Sequence, residues 1–299
     1  MASDATFVFG IGAAKAGTTW LAQALRAHPQ AVLPPFKETH YFDSLEQGTS
    51  LWAMDQMIAV RQGVRADISA AKTKKVKARL TARVREMDRW LGLVGSQIEN
   101  DGRYQALMRR RAGADTVRLC ADITPAYALL SEDCFRRMAA MNGGDTRFVM
   151  VLRDPIDRLW SNISMTAARR AKKGRDLGSV TDEMLAGISN ASNRAEMQRS
   201  DYAATLTRLE AAVPEEKRLV LFFEDLFDAS TLARLALFLG LSEPLIGPTE
   251  PANKGSSRPI DATAHQVLLE ATKPQYDCVM SRFDAVPPRW TDNMKGPVQ

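Results

Sequence analysis

Residues that form disulfides or bind metals are scarce in this chain of 299 residues. Its three cysteines, Cys120, Cys134 and Cys278, are an odd set without metal-ligand spacing. That excludes a disulfide framework and leaves free thiols suited to a reducing compartment. Long apolar runs are missing too. The strongest, residues 148–152 and 219–223, are of strand length, against the ~20 residues of a membrane span. Residues 1–6 lack the basic region and apolar stretch of a secretory leader. The expectation is a soluble, cytoplasmic protein with no membrane partner. Histidine occurs only as His28, His40 and His265, which leaves residues 41–264 without an imidazole. There is no internal repeat or low-complexity tract, and an apolar fraction of 45% excludes a wholly disordered or fibrous chain.

What is present is a globular composition with a mild basic excess. Forty Lys and Arg against 35 Asp and Glu give a net charge of +5, which suits an anionic partner. The excess is local: residues 72–89 hold eight cations against Glu86 and Asp88. Over residues 76–91, Val76, Leu80, Val84, Met87 and Leu91 recur at spacings of three and four, one face of an amphipathic helix. Residues 44–114 read as a helical insertion over a sheet, and residues 291–299 as a frayed tail. Strand-like runs at 6–11, 117–121, 147–152 and 218–223, separated by helical stretches, predict a single α/β domain over 1–299. Its central parallel sheet would be flanked by helices.

The first strand runs into Gly12-Ala13-Ala14-Lys15-Ala16-Gly17-Thr18-Thr19-Trp20, and residues 18–27 follow as a helix. Glycines there let successive N–H groups face an anion at the helix start. An ordinary P-loop places lysine straight after its second glycine. Here Thr18 holds that place, and the lysine, Lys15, lies inside the loop. Thr18 and Thr19 are read as capping the helix and bonding phosphate. A second candidate, Arg153-Asp154-Pro155, closes the 147–152 strand, with Arg158 and Ser161 beyond it. Asp154 and Pro155 suit an N-cap and a first helical residue, and guanidinium suits forked phosphate recognition.

Together these stretches resemble the sulfotransferases that use 3′-phosphoadenosine 5′-phosphosulfate (PAPS). The resemblance implies a P-loop NTPase-like sulfotransferase fold with Ala16, Gly17, Thr18 and Thr19 on the 5′-phosphosulfate. It also implies Lys15 at the leaving phosphate, Trp20 near the adenine, and Arg153 with Ser161 on the 3′-phosphate. A third match, 253–259, implies that Lys254 and Gly255 close over the same phosphate, with Arg258 beside them. Asp122 to Tyr127, Tyr202 and Glu224 match family landmarks. Tyr127 and Glu224 are expected to satisfy loop backbone.

The cytosolic branch of that family uses a mid-chain histidine as base, and none is present. Lys37-Glu38-Thr39-His40-Tyr41-Phe42-Asp43 instead resembles the glycan-sulfating branch, which implies Glu38 as base and His40 as a secondary acid–base group. Aromatic neighbours would raise the carboxyl's pKa and Lys15 would oppose them. Where the glycosaminoglycan enzymes carry a lysine before Thr-Pro, this chain has Ile123, which favours a smaller acceptor.

The expected reaction is sulfuryl transfer from PAPS to an acceptor hydroxyl, or as a lesser option an amine, releasing 3′,5′-adenosine bisphosphate without a metal. The acceptor would be a small molecule or glycan. With no zinc spacing or RNA-binding aromatic signature, nucleic acid is not expected. No feature assigns an oligomeric state. Two rivals stand beside this reading, a P-loop kinase acting on a small molecule and a non-catalytic nucleotide- or polyanion-binding protein.

Overall fold

The computed structural model describes residues 5–110, 116–190, 192, 194–248 and 259–296. Five parallel strands form one sheet: β1 (Thr6–Gly12), β2 (Ala31–Val32), β3 (Leu119–Ile123), β4 (Thr146–Leu152) and β5 (Arg218–Phe222). Their order is β2-β3-β1-β4-β5. All seven residues of β1 are buried, as the centre of a sheet covered on both faces requires. All four expected strands lie within two residues of their places, and the two-residue β2 carried too little pattern to be anticipated.

The helices are α1 (Thr18–Ala27), α2 (Tyr41–Glu46), α3 (Ser50–Ala70), α4 (Lys74–Val94), α5 (Asp101–Arg109) and α6 (Glu132–Ala139), then α7 (Pro155–Ala171) and α8 (Leu177–Ser189). α9 (Arg194–Gln198), α10 (Tyr202–Ala212), α11 (Ala229–Leu239), α12 (Ala262–Arg282) and α13 (Pro288–Lys295) complete the chain. The segment 44–114 carries α3 to α5 and no described strand. It docks through aromatic rings. Tyr41 stacks on Tyr104 at 4.7 Å, Trp90 meets Tyr104 edge-on at 5.6 Å, and Phe42 meets Phe9 of β1 at 5.9 Å. The buried stripe of α4 is Val84, Met87, Trp90, Leu93 and Val94, displaced toward its C-terminal half from the stripe the spacing predicts. Val76 and Leu80 are only half-buried, because the first turns of α4 run past the core.

Chain order sets where a ligand can enter. From central β1 the chain leaves for the edge strand β2, returns to β3, then crosses β1 to β4. The C-terminal end of β1 is therefore flanked by connections that run in opposite directions, the crevice where α/β sheets bind ligands.

The C-terminus departs from expectation. The frayed tail predicted from residue 291 is instead helix α13 as far as Lys295, with Trp290 and Asn293 buried. Asn293 donates to Asp154 Oδ1 at 2.7 Å, and the Trp290 indole N–H donates to Glu224 Oε2 at 3.1 Å. Polar composition suggested fraying, but long-range contacts to Asp154 on the β4–α7 turn and to Glu224 after β5 hold the helix in place.

Candidate active site

A cavity of about 550 Å³ opens at the C-terminal edge of the sheet. Four strand ends feed it: the loop after β1, the turn after β3, Arg153 after β4 and Phe223 after β5. Phe36, Lys37, Glu38 and His40, on the connection from β2 to α2, close another side.

The loop after β1 is built for close approach of an anion. Gly17 adopts φ 81° as the N-cap of α1, and a Cβ there would stand 2.8 Å from Leu226 Cδ2 and 2.9 Å from Phe223 Cδ2. Only glycine fits. No side chain caps α1, so Thr18 and Thr19 do not take the expected capping role, and the first-turn N–H groups have no intrahelical acceptor. Gly17, Thr18 and Thr19 line the cavity. Ala16 does not: its side chain is buried in the core and its N–H goes to the Ala13 carbonyl at 3.2 Å. Lys15 lines the cavity with φ 74°, a conformation that costs about 1–3 kcal/mol in a non-glycine residue and recurs at ligand sites. Its ammonium lies 3.4 Å from Met165 Sδ, and among the described residues no carboxylate pairs with it. Burial lowers its pKa first, and Arg153, Arg169, Arg158 and Lys37 add to that. Cations thus gather around this loop, and only Lys37 of them has a carboxylate partner among the described residues.

Arg153 faces this loop. Its guanidinium donates to the Lys15 carbonyl at 3.0 Å and lies 4.8 Å from the Phe223 ring centre. The turn that carries it is firmly held. Asp154 caps α7 through the Asp157 N–H, Pro155 takes the first helical position, and Glu224 Oε1 accepts the Asp154 N–H at 2.9 Å. Tyr202 donates to the Arg153 carbonyl at 2.8 Å, and Tyr276 donates to Asp154 Oδ2 at 2.6 Å. Ser161, two turns along α7, lines the same cavity. Trp20 also lines it, while its indole N–H goes to the Pro248 carbonyl at 2.9 Å and Phe227 packs edge-on at 5.3 Å. Lys254, Gly255 and Arg258 lie outside the described residues.

On the far lip stand Glu38 and His40. His40 Nε2 is 3.4 Å from Glu38 Oε2, and its Nδ1 is 2.8 Å from Asp43 Oδ2. Lys37 pairs with the other oxygen of Glu38. The expected rise in the Glu38 pKa is not what these contacts produce. Burial does push the carboxyl up, but the His40 hydrogen bond and the Lys37 charge outweigh it and hold it at about 2. For His40, burial alone would favour the neutral ring. The Asp43 and then the Glu38 hydrogen bonds reverse that and raise it to about 9. At neutral pH the proton therefore sits on His40, and Glu38 is a carboxylate.

Thr39, between them, anchors the pair. It donates to Asp122 Oδ2 at 2.6 Å, and its N–H goes to Thr124 Oγ1 at 3.0 Å. Fully buried Asp122 also accepts from Thr124, Tyr104 and Tyr127, at 2.7–2.8 Å. Tyr127 thus satisfies a carboxylate and not the loop backbone expected of it, whereas Glu224 does accept a backbone N–H. From behind, Arg26 and Arg83 donate to the carbonyls of Pro34 and Pro35 just ahead of this stretch, each at 3.1 Å. Both belong to an arginine-lined groove beside α4.

A family model described as the Sulfotransferase family matches residues 8–244. The chain belongs to the sulfotransferase family. This sulfotransferase superposes on the structure of a sulfotransferase from Alicyclobacillus acidocaldarius with a TM-score of 0.61 at 19% identity, covering 96% of this chain and 98% of that one. At that identity the likeness is one of fold. Weaker overlaps, both at 15% identity, reach the sulfotransferase domain of the curacin biosynthetic pathway (TM-score 0.42, 83% of this chain, 75% of that one) and that of the Synechococcus PCC 7002 olefin synthase (TM-score 0.43, 91% and 94%). No curated protein matches the chain.

Sequence reasoning missed several residues of the sulfotransferase cavity. Arg169 and Arg199 add cations to it, and Trp52, Gln56, Met57 and Val60 of α3 form a wall. None lies in a motif: α3 and α7 carry five of them toward the loop after β1, and Arg199 arrives on the turn after α9. Buried His28 accepts the Gln30 N–H on Nδ1, and neither it nor buried His265 lines the cavity. Among the described residues no helix is long and apolar enough to cross a membrane.

Proposed function

We propose that this sulfotransferase moves the sulfuryl group of PAPS to the hydroxyl of a small-molecule or glycan acceptor, an amine being the lesser option. The observation that carries the donor reading is the charge of the cavity. Lys15, Lys37, Arg153, Arg169 and Arg199 line it against one carboxylate, Glu38. A donor bearing a 3′-phosphate and a 5′-phosphosulfate supplies the missing negative charge, together with an activated sulfuryl group on a phosphate leaving group. Arg153 and Ser161 hold the 3′-phosphate, while the first-turn N–H groups of α1, Thr18 and Thr19 hold the phosphosulfate. Trp20 borders the adenine.

Lys15 places its ammonium where negative charge grows on the departing phosphate, in a part-buried site where that attraction is strong. Glu38 receives the hydrogen bond of the acceptor hydroxyl on the opposite side and takes its proton. A carboxylate held at about 2 is a weak base, so the proton moves late, after the O–S bond has begun to form. His40 keeps Glu38 ionised and oriented through their contact.

Thermal unfolding with 3′,5′-adenosine bisphosphate, ADP or Mg-ATP, at matched concentrations, tests the donor site. A ligand at 100 times its Kd stabilises by about 2.7 kcal/mol. Stabilisation by the bisphosphate alone is expected. Preference for Mg-ATP favours a kinase and overturns the proposal.

A further inference from the structure

The cavity walls differ in charge, and that difference identifies the acceptor side. Every cation that lines it is carried by the β1 loop, the Glu38 stretch, Arg153 with α7, or Arg199. The α3 wall, made of Trp52, Gln56, Met57 and Val60, carries none, and Pro125, Ala126 and Leu129 line the cavity as further uncharged residues. His40, the cation nearest this side, is already paired with Glu38 and Asp43, and Lys37 is paired with Glu38.

The helix itself explains the wall. Ala53, Met57 and Val64 of α3 turn into the core, while Trp52, Gln56 and Val60, four residues apart, form a second stripe. Trp52 and Val60 are both 49% exposed, a large apolar area for residues that normally pack inside. Trp52 is also tied to the reacting groups, since its ring meets His40 edge-on at 5.0 Å and His40 Nε2 lies 3.4 Å from Glu38. A single side chain, His40, thus links the indole to the Glu38 carboxylate. An anionic sugar chain on the same wall would lose hydration without gaining a cation.

We infer that the stripe Trp52, Gln56 and Val60 is the acceptor subsite, and that it selects an uncharged alcohol with a flat apolar face over an anionic glycan. This rests on the sulfuryl-transfer reading above and narrows its acceptor class. The ring stacks on Trp52, Gln56 offers an amide to a polar substituent, and the hydroxyl points to Glu38.

The test uses the full chain with PAPS, 2-naphthol as neutral planar probe and an N-sulfated heparosan hexasaccharide as anionic probe, with products read by mass spectrometry. Bisphosphate affinity is measured on each variant first, so loss of the donor site is seen separately from loss of the acceptor site. The expected result is a kcat/KM for 2-naphthol at least tenfold above that for the hexasaccharide. Trp52→Ala should raise the 2-naphthol KM tenfold or more with bisphosphate Kd within twofold, and Trp52→Phe should recover most of it. Val60→Arg, at an exposed position two turns along α3 from Trp52, should shift preference toward the hexasaccharide. With bisphosphate binding intact, preference for the hexasaccharide, no turnover of 2-naphthol, or an unchanged KM in Trp52→Ala overturns the inference. Absence of bisphosphate binding by the unaltered protein refutes the donor reading instead.

Discussion

Replacing His40 by glutamine should remove a stabilisation whose pH profile is dictated by its two carboxylate neighbours. His40 titrates at about 9 in the folded protein against 6.5 for the free ring, raised by Asp43 and Glu38 against the opposing effect of burial. At about 1.4 kcal/mol per pKa unit that shift corresponds to about 3 kcal/mol. Its side chain is 9% exposed, so solvent screening removes little of it. Because a raised pKa means that the folded state binds the proton more tightly, the contribution is complete below pH 6.5 and disappears as pH rises through about 9. Glu38 behaves in the opposite sense. Its pKa is lowered to about 2 from 4.5, so its share is complete above pH 4.5 and is lost as pH falls through about 2. The difference in unfolding free energy between the unaltered protein and His40→Gln should therefore peak between pH 4.5 and 6.5, then decline toward pH 9.5. Urea denaturation at four pH values, with slopes held common, measures it. With only three histidines in the chain, proton NMR of the C2–H resonances can assign the His40 titration directly, by the signal missing in His40→Gln. A midpoint near 6.5, or a difference in stability flat across this range, would refute the reasoning.

Lys15→Ala should lower kcat by roughly 10²–10³-fold, the usual loss when a group stabilising transition-state charge is deleted. Its folding should be intact, because the ammonium touches only a methionine sulfur among the described residues; full turnover in steady-state assays with PAPS would remove Lys15 from the mechanism. Arg153→Ala should cost about 1.5–3 kcal/mol in bisphosphate binding, the range for a hydrogen bond to a charged group, while ADP binding changes little. Calorimetric titration with both ligands checks it, and equal losses for the two would contradict a 3′-phosphate role. Thr39→Val keeps shape but deprives buried Asp122 of its 2.6 Å donor. About 1.5–3 kcal/mol of stability should be lost, seen as a lower urea midpoint at unchanged slope. Asn293→Ala should destabilise by about 1–3 kcal/mol in the same assay, since Asp154 then loses a buried donor at 2.7 Å. No change would mean that α13 is not anchored there.

Local features were legible wherever one short stretch of chain sets its own conformation. The run of apolar residues before Gly12, the left-handed turn at Gly17, and the Asp154-Pro155 helix start are all encoded within a few residues. They place β1, the start of α1, and Arg153 without help from the rest of the fold. The regular alternation of strand and helix was enough for a parallel sheet, and the sheet order then locates the crevice at β1.

Tertiary structure decided what depends on distance and dielectric. Burial next to aromatics suggested a raised Glu38 pKa, yet the direction was set by His40 and Lys37, whose charges lie against it once the loop is folded. Thr39 meets Asp122 across 83 residues of sequence, and Asn293 meets Asp154 across 139; no periodicity announces either bond. The uncharged wall of the cavity is likewise a property of where α3 lands. Propensity and spacing act over one or two turns of chain, whereas proton affinity and the charge of a cavity are sums over every group that folding brings within a few ångströms.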